Sequence, residues 1–359
     1  MSFFSNGNKP YIIAGPCSAE TREQVLEVAA GIADIPVQLY RAGVWKPRTR
    51  PGSFEGNGIQ ALEWLQEVKA TYKIPVTVEV AEPQHVEQAL KYDIDVLWLG
   101  ARTTVNPFQV QRLADALKST NIPVMVKNPV NPDVDLWQGA IERLMQAGIT
   151  DIAAIHRGFS SYQAVSAYRN QPNWPIPIEL KRRNPQLAIF CDPSHITGNR
   201  ELVADIAQKA MDMGFEGLMI ETHPNPPVAW SDAAQQVTPA RLKEILDQLI
   251  IRQQHTTDAD IGITLEQLRQ QMDSLDAEII DLIARRMELS ERIGEVKKEC
   301  NMTAYQPERW REIVETRGSR AEKHNLSKEF IVALYEKIHD ESIKKQLEVL
   351  QALMNEVKG

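Results

Sequence analysis

Eight short runs of apolar and β-branched residues, separated by helix-length stretches, constrain the fold of this chain more than any other feature. The predicted strands cover residues 11–14, 37–40, 76–80, 96–99, 124–126, 152–155, 187–190 and 217–220. The runs are continuously apolar, which is typical of parallel strands buried on both faces. Eight such units favour a closed (β/α)8 barrel over an open doubly wound sheet, and no glycine-rich dinucleotide loop follows the first strand.

The character of the chain changes near residue 253, where a polar run without apolar periodicity follows the last barrel unit. Three helical patterns come after it, at 265–298, 307–324 and 328–356, and Thr264 with Gln267 has the spacing of a capping box. We therefore predict an α/β fold with a (β/α)8 TIM barrel at residues 1–252, a linker at 253–262 and an all-α helical domain at 263–359.

Composition excludes several classes of function. The net charge of −8 argues against a nucleic-acid-binding protein. Three scattered cysteines, Cys17, Cys191 and Cys300, fit a reducing compartment. We see neither a signal peptide nor an uncharged run of the roughly 20 residues that span a bilayer. The sequence therefore predicts a cytoplasmic protein without nucleic-acid or membrane partners.

Polar or ionisable residues follow the predicted strands at their carboxyl ends, which form the active-site face of such a barrel. In chain order they are Cys17, Lys46, Glu79, Arg102, Lys127, Arg157, His195 and Glu221. Four of these are cations, and like charges brought together are costly unless an anion joins them. We expect a bound phosphate or carboxylate; separate surface salt bridges would explain any one of the four, but not all of them together.

The same face supplies a set of metal-ligand types: Cys17, His195, Glu221 and Asp232. A thiolate, an imidazole and two carboxylates suit a divalent first-row metal, and softness alone does not choose between Mn, Fe, Co and Zn. Taken singly, Cys17 could be a core residue, His195 a hydrogen-bonded loop residue and Asp232 a helix N-cap.

Five motifs in this order resemble 3-deoxy-D-arabino-heptulosonate 7-phosphate (DAHP) synthase of the short type I-beta group. They are Gly15-Pro16-Cys17-Ser18, Lys46-Pro47-Arg48-Thr49, Gly100-Ala101-Arg102, Asp192-Pro193-Ser194-His195 and Glu221-Thr222-His223-Pro224. The resemblance implies a TIM barrel that condenses phosphoenolpyruvate with erythrose 4-phosphate at a divalent metal, Mn²⁺ being our first expectation. It also implies that Cys17, His195, Glu221 and Asp232 are the metal ligands.

The resemblance further implies roles for the cations of the barrel. Arg102, Lys127 and Arg157 would hold phosphoenolpyruvate, and Arg48 and Thr49 would position erythrose 4-phosphate. Lys46 would lie between the substrates as a catalytic residue that hydrogen-bonds the aldehyde oxygen; a Schiff-base role is the alternative, which borohydride trapping distinguishes. The nearest other family, 3-deoxy-octulosonate 8-phosphate synthase, typically has an asparagine-containing stretch where this chain has Pro47-Arg48-Thr49. The sequence therefore favours erythrose 4-phosphate as the sugar substrate.

In the helical domain, cations interrupt an apolar helical pattern at Arg269, Arg286 and Lys297, and Arg309 begins the next helix. Each taken alone fits a solvated helix face. Residues 264–350, however, resemble the all-helical chorismate mutase family, which implies an intertwined homodimer that converts chorismate to prephenate. The expected roles there are carboxylate binding by Arg269 (from the partner subunit), Arg286 and Arg309, ether-oxygen contact by the catalytic residues Lys297 and Gln346, and ligand binding by Ser342.

Two departures from that family leave an alternative open. Gln306 and Trp310 stand where the family usually has acidic residues, and an indole only donates hydrogen bonds. A DAHP synthase whose helical domain only senses chorismate or prephenate and dimerises is therefore the competing interpretation. We also expect allosteric control, with prephenate lowering the condensation activity.

Overall fold

Eight parallel strands close into a barrel in the order in which they occur in the chain. The computed structural model describes residues 2–7, 9–46, 52, 54–161, 167–253 and 258–356. The strands are β1 (Tyr11–Gly15), β2 (Leu39–Arg41), β3 (Val76–Val80), β4 (Val96–Leu99), β5 (Val124–Lys127), β6 (Ile152–His156), β7 (Ala188–Cys191) and β8 (Gly217–Glu221). The predicted fold class, a (β/α)8 barrel followed by an all-α segment, is confirmed.

Helices connect successive strands on the outside of the barrel. They are α1 (Arg22–Ile32), α2 (Ile59–Tyr72), α3 (Pro83–Lys91), α4 (Ala101–Thr104), α5 (Pro107–Leu117), α6 (Val134–Gln146), α7 (Pro175–Arg183), α8 (Pro193–Thr197), α9 (Val203–Asp212) and α10 (Pro239–Gln248). Side chains of Thr21, Asn106, Asp133, Asp192 and Thr238 cap five of them by accepting backbone N–H bonds, which satisfies donors that have no partner inside the helix.

The barrel has two apolar layers. Its interior is filled by Ile13, Trp98, Met125, Phe190 and Met219, among others, so it is a packed core and not a pore. A second and larger layer lies between the strands and the surrounding helices. Both faces of each strand are therefore buried, which is the physical reason for the continuously apolar runs in the sequence.

Strand register brings the carboxyl ends of β1 and β8 together. Gly15 pairs with Glu221 at the end of this ladder, and its φ of +144° is in a region that favours glycine. A Cβ at this position would overlap the backbone carbonyl of Arg41. The pairing of β1 with β8 places Cys17 beside Glu221 at the active-site face.

Three helices form the C-terminal segment: α11 (Ala259–Glu299), α12 (Pro307–Glu322) and α13 (Lys328–Glu356). The predicted helix start and capping box at Thr264 are wrong, because α11 begins at Ala259 and the Asp258 side chain accepts the N–H groups of Asp260 and Ile261. Residues 259–262, which we assigned to the linker, are thus helical.

Contacts divide the chain into two compact units, Met1–Gln254 and His255–Gly359. The domain limits 1–252 and 263–359 stay predictions, since residues 254–257 lie outside the described part of the chain. Within the described residues, no helix combines the length and apolar composition that a membrane crossing requires.

Candidate functional site

Three of the four predicted metal ligands meet at the carboxyl end of the barrel. Among the described residues, Cys17, Glu221 and Asp232 bring one ligand atom each within 4.8 Å of one another. The Cys17 Sγ atom lies 3.5 Å from Asp232 Oδ2. Cys17 and Glu221 are fully buried, so this cluster lies at the bottom of the site and not on its rim.

His195, the fourth predicted ligand, adjoins this cluster. Its Nε2 lies 3.8 Å from Glu221 Oε1, and its Nδ1 lies 2.8 Å from Asp192 Oδ2. The negative charge of Asp192 beside Nδ1 favours the proton on that nitrogen and leaves Nε2 as the ligand atom. The sequence did not predict this role for Asp192, although the residue stands inside the motif that contains His195.

The ligand set fits a divalent cation. Burial, followed by the nearby Glu221 carboxylate, raises the pKa of the Cys17 thiol to about 12, and a bound cation would favour the thiolate. Burial opposes the ionisation of Asp232, but His195 and Arg169 outweigh it and hold its pKa below the usual range. Glu221 Oε1 is buried without a hydrogen-bond partner, as expected for an atom that binds a metal.

A buried arginine that the sequence analysis missed compensates the charge of Glu221. Arg41 Nη2 lies 3.2 Å from Glu221 Oε1 and donates to the Cys17 carbonyl at 3.3 Å. Its guanidinium carbon lies 5.1 Å from the centre of the Trp98 ring. Arg41 is the last residue of β2. It therefore has the same pattern as the other charged strand ends, but we missed it because our predicted strand ended at residue 40.

Lys46 lies directly against the cluster. Its Nζ donates to the Cys17 carbonyl at 2.7 Å and to Cys17 Sγ at 3.1 Å. Burial opposes its charge, but Cys17 and Glu221 outweigh burial and raise its pKa. The predicted sugar-phosphate residues Arg48 and Thr49 lie outside the described residues.

The other three barrel cations also belong to this face. Lys127 is buried and donates to Asp192 Oδ2 at 2.8 Å, and Arg157 Nη1 donates to Asn170 Oδ1 at 2.8 Å. Burial, together with the positive charges of Arg169 and Arg102, lowers the pKa of Arg157 to about 10. These arginines are therefore close enough to repel one another, which an anionic ligand would relieve.

Polar residues beyond the strand ends orient the ligands. Arg169 Nη1 donates to Asp232 Oδ1 at 3.0 Å and to Gln235 Oε1 at 2.9 Å. Gln235 in turn donates to Glu221 Oε2 at 2.7 Å. Neither residue follows a predicted strand, and no local sequence pattern singled them out.

A second polar cluster lies between α11 and α13. Arg286 donates to Ser342 Oγ and, at 3.4 Å, to the Ile338 carbonyl. Lys297 Nζ donates to Gln346 Oε1 at 2.9 Å. Lys297, Ser342 and Gln346 are buried, and burial lowers the pKa of Lys297. The structure thus brings together four of the six residues predicted for the helical site.

The remaining two predicted residues lie apart from these four. Arg309 forms an exposed ion pair with Glu312, although its charge contributes, after burial, to the lowered pKa of Arg286. Arg269 is exposed, and Glu266 lies 3.9 Å from it. At 1.5 Å rise per residue, Arg269 is about 25 Å from Arg286 along α11. It cannot complete the site of its own chain.

Two family models match the chain. The model of the DAHP synthetase I family matches residues 3–257, and the model of chorismate mutase type II matches residues 268–347.

Individual relatives of the barrel are also known. Phospho-2-dehydro-3-deoxyheptonate aldolase of Thermotoga maritima is 32% identical over 238 residues, which are 66% of this chain and 68% of that protein. A 2-dehydro-3-deoxyphosphooctonate aldolase of Francisella tularensis subsp. holarctica is 27% identical over 262 residues, covering 68% and 91%. The crystal structure of the Thermotoga maritima aldolase (DAHP synthase) superimposes with a TM-score of 0.61 at 31% identity, covering 66% of this chain and 67% of that one.

We predict that Arg41→Met destabilises the metal-free protein by about 3–5 kcal/mol, the usual cost of breaking a buried ion pair on one side. Glu221 would remain buried without its compensating charge. Denaturant unfolding in the presence of a chelator measures the loss. Arg22→Met, which breaks an exposed ion pair with Glu67, is the control and should change the unfolding midpoint little. Equal effects of the two substitutions would contradict the importance of the buried pair.

Proposed function

This chain belongs to the DAHP synthetase I family and carries a chorismate mutase type II domain after the barrel, and from this premise we propose how its two sites act. The two domains together make a bifunctional enzyme of the shikimate pathway. The barrel would condense phosphoenolpyruvate with erythrose 4-phosphate to DAHP, and the helical unit would rearrange chorismate to prephenate.

One observation carries the barrel proposal: the ligand atoms of Cys17, Glu221 and Asp232 converge beside Lys46, and Lys127 joins them through Asp192 and His195. Such a face can hold a cation and a phosphorylated carboxylate next to each other. Buried charges of both signs at one end of a barrel are not required for its stability, so their presence there favours a functional site.

A divalent metal would be held by Cys17, Glu221, Asp232 and His195, and Mn²⁺ is our first choice over Fe, Co and Zn. When bound, the cation supplies a Lewis acid that polarises the aldehyde of erythrose 4-phosphate. Asp192 keeps the His195 ring in the orientation that presents Nε2. Arg169 and Gln235 hold the carboxylates of Asp232 and Glu221.

The cations of this chain would orient the substrates. Lys127, Arg157 and Arg102 bind the phosphate and carboxylate of phosphoenolpyruvate, whose C3 forms the new bond to the aldehyde carbon. Lys46 donates a hydrogen bond to the aldehyde oxygen as negative charge develops there. Water then adds at C2, the C2–O bond breaks and inorganic phosphate leaves. Arg48 and Thr49 would bind the four-carbon sugar phosphate.

The helical site would work by electrostatics alone. Arg286 and Arg309 bind the carboxylates of chorismate, and Ser342 helps hold the ligand. Lys297 donates to the ether oxygen that gains negative charge as the C–O bond breaks. Because Gln346 uses its amide oxygen to accept from Lys297, its amide nitrogen is the group that can donate to the same ether oxygen.

A second copy of the chain would complete that site. An exposed apolar stripe runs along α11 with alternating steps of four and three residues, the spacing of a coiled-coil seam. It comprises Ile261, Leu265, Leu268, Met272, Leu275, Ile279, Leu282, Leu289, Ile293 and Val296, all exposed. Arg286 occupies the one polar position in this series, and Arg269 lies next to Leu268. Burying the stripe against a second α11 would remove this apolar area from water and bring the partner's Arg269 to the site.

Feedback through the helical site is the last element of the proposal. Prephenate, the product of that site, would lower the condensation activity of the barrel. Such coupling requires that prephenate binds two arrangements of the protein with affinities that differ, typically by ~1–3 kcal/mol.

Our first functional prediction concerns the metal. A strong chelator, or the substitution Cys17→Ala, should abolish the condensation and leave the rearrangement of chorismate intact, because the helical site uses cations of the chain alone. Assays of both reactions on the same preparation measure this. Cys191→Ala, at a second fully buried cysteine outside the cluster, is the control and should retain metal-dependent condensation. Full condensation activity of the Cys17 variant without added metal would show that the ligand assignment is wrong.

The second prediction tests the shared site. Arg269→Ala and Arg286→Ala should each abolish mutase activity, and subunit exchange between the two variants should restore part of it, since one of the two sites in a mixed dimer then has both arginines. Mass spectrometry confirms that mixed dimers form.

Exchange between Arg286→Ala and Lys297→Ala is the matched control. These residues belong to one chain's half of the site, so mixed dimers should stay inactive. Absence of recovery in the first mixture, despite mixed dimers, would refute the cross-subunit role of Arg269. Binding of prephenate by the wild type without turnover of chorismate would favour the sensing alternative.

The third prediction concerns feedback. Prephenate should lower the condensation rate of the whole protein, and Arg286→Ala should remove this response while leaving the uninhibited rate unchanged, because it deletes a carboxylate partner far in sequence from the barrel. Steady-state assays across a prephenate titration measure both. Equal inhibition of the wild type and the Arg286 variant would mean that prephenate acts elsewhere, for example at the barrel itself.

A further inference from the structure

His339 lies on the same face of α13 as Ser342 and Gln346, two of the residues proposed to hold chorismate. It precedes Ser342 by three positions and Gln346 by seven, which are the spacings of side chains stacked along one side of a helix. The Arg286 side chain donates to the carbonyl of Ile338, the residue before His339, and to Ser342. His339 is therefore part of the wall of the site, although no motif in the sequence pointed to it.

Aromatic neighbours fix the orientation of the His339 ring. The Trp310 ring stacks on it with centroids 4.6 Å apart and an interplanar angle of 23°, and the Tyr305 ring meets it edge-on at 6.2 Å. Within the described residues, the Nε2 atom of His339 is buried and has no hydrogen-bond partner. Buried polar atoms of folded proteins are nearly always bonded, so an orphaned nitrogen beside a ligand site indicates a bond that the ligand makes.

The electrostatic surroundings keep this imidazole neutral. Burial lowers the pKa of His339 first, and the charge of Arg286 lowers it further. Asp340 opposes this, and Lys297 adds a smaller lowering contribution. These two cations are the groups assigned above to a carboxylate and to the ether oxygen. A neutral imidazole has one nitrogen that donates and one that accepts, and it pairs with a hydroxyl in either tautomer.

Chorismate has one polar group that the assignments above leave without a partner. Its two carboxylates meet arginines, its ether oxygen meets Lys297 and Gln346, and its ring hydroxyl remains. Trp310 cannot accept the hydroxyl proton, since an indole N–H only donates. His339 offers an acceptor on the same wall of the site.

We propose that His339 Nε2 forms the hydrogen bond to the ring hydroxyl of chorismate and prephenate, and that Trp310 positions the imidazole for it by stacking. This rests on the function proposed for the helical unit and names a specificity-determining residue within it. Nε2 is shielded from solvent. The resulting bond would form in a low-dielectric surrounding, where hydrogen bonds are stronger.

The test compares His339→Leu, which removes the polar nitrogen, with His339→Gln, whose amide can still bond a hydroxyl. We expect His339→Leu to raise KM for chorismate about tenfold with little change in kcat, the pattern of lost ground-state and transition-state binding alike. His339→Gln should recover most of the affinity. His324→Leu, at an exposed histidine of the same unit, is the control and should behave as the wild type.

A competitive dicarboxylate inhibitor that lacks the ring hydroxyl separates the proposed bond from a structural effect. Its inhibition constant should be the same for the wild type and His339→Leu. A matching loss for this inhibitor and for chorismate would overturn the proposal, because His339 would then only support the fold of the wall. An unchanged KM for chorismate in His339→Leu would overturn it as well.

A double variant provides an independent test of the same hydrogen bond. Trp310→Glu in the His339→Leu background places an accepting carboxylate beside the same position and should restore affinity for chorismate but not for the inhibitor without a hydroxyl. If the wild type does not rearrange chorismate, the proposed mutase activity fails by itself. Calorimetric binding of prephenate, which also carries the hydroxyl, then makes the same comparison among the variants, so the role of His339 is still decided.

Discussion

The buried carboxylate of Glu221 is the constraint around which the barrel site is organised. An ionised carboxylate inside a protein is costly unless neighbouring charges and donors compensate it. Arg41 provides a positive charge from β2, Gln235 donates to one oxygen, and the other oxygen has no hydrogen-bond partner. The closure of β1 against β8 then places the Cys17 thiol beside the same carboxylate. The closure of the barrel thus brings together both the metal-ligand residues and the groups that compensate the buried charge of Glu221.

A second buried carboxylate, that of Asp192, is also compensated by neighbouring positive charge. Asp192 has Lys127 on one side and His195 on the other. Burial disfavours its charge, but His195 and Lys127 hold the pKa of this carboxyl well below its usual range. One residue therefore links the cation that would bind the substrate phosphate or carboxylate to the imidazole that would bind the metal. Misplacing Asp192 would disturb both.

The sequence predicted the features that repeat and missed those that depend on long-range contacts. Continuous apolar runs located all eight strands, and strand-end chemistry led to Cys17, Lys127 and Glu221, because the periodicity of a barrel places every strand end on one face. Arg169 and Gln235 act from loops whose path no local pattern reveals. The start of α11 was missed for a different reason: Asp258 caps a first turn that is polar and therefore resembled a linker.

The two proposed sites would bind their anionic ligands in different ways. The barrel assembles cations from distant strands on a rigid frame, and two of them, Arg41 and Lys127, have carboxylate partners within the same chain. The helical unit distributes its cations along α11, and the rise of a helix sets how far apart they lie. Arg269 and Arg286 are too distant to meet within one copy, and the exposed apolar stripe passes between them on the same helix. This stripe is the surface that would bring in a second copy and, with it, the partner's Arg269. Ligand binding and self-association would thus have a common physical origin there, whereas the barrel would not depend on association for its charges.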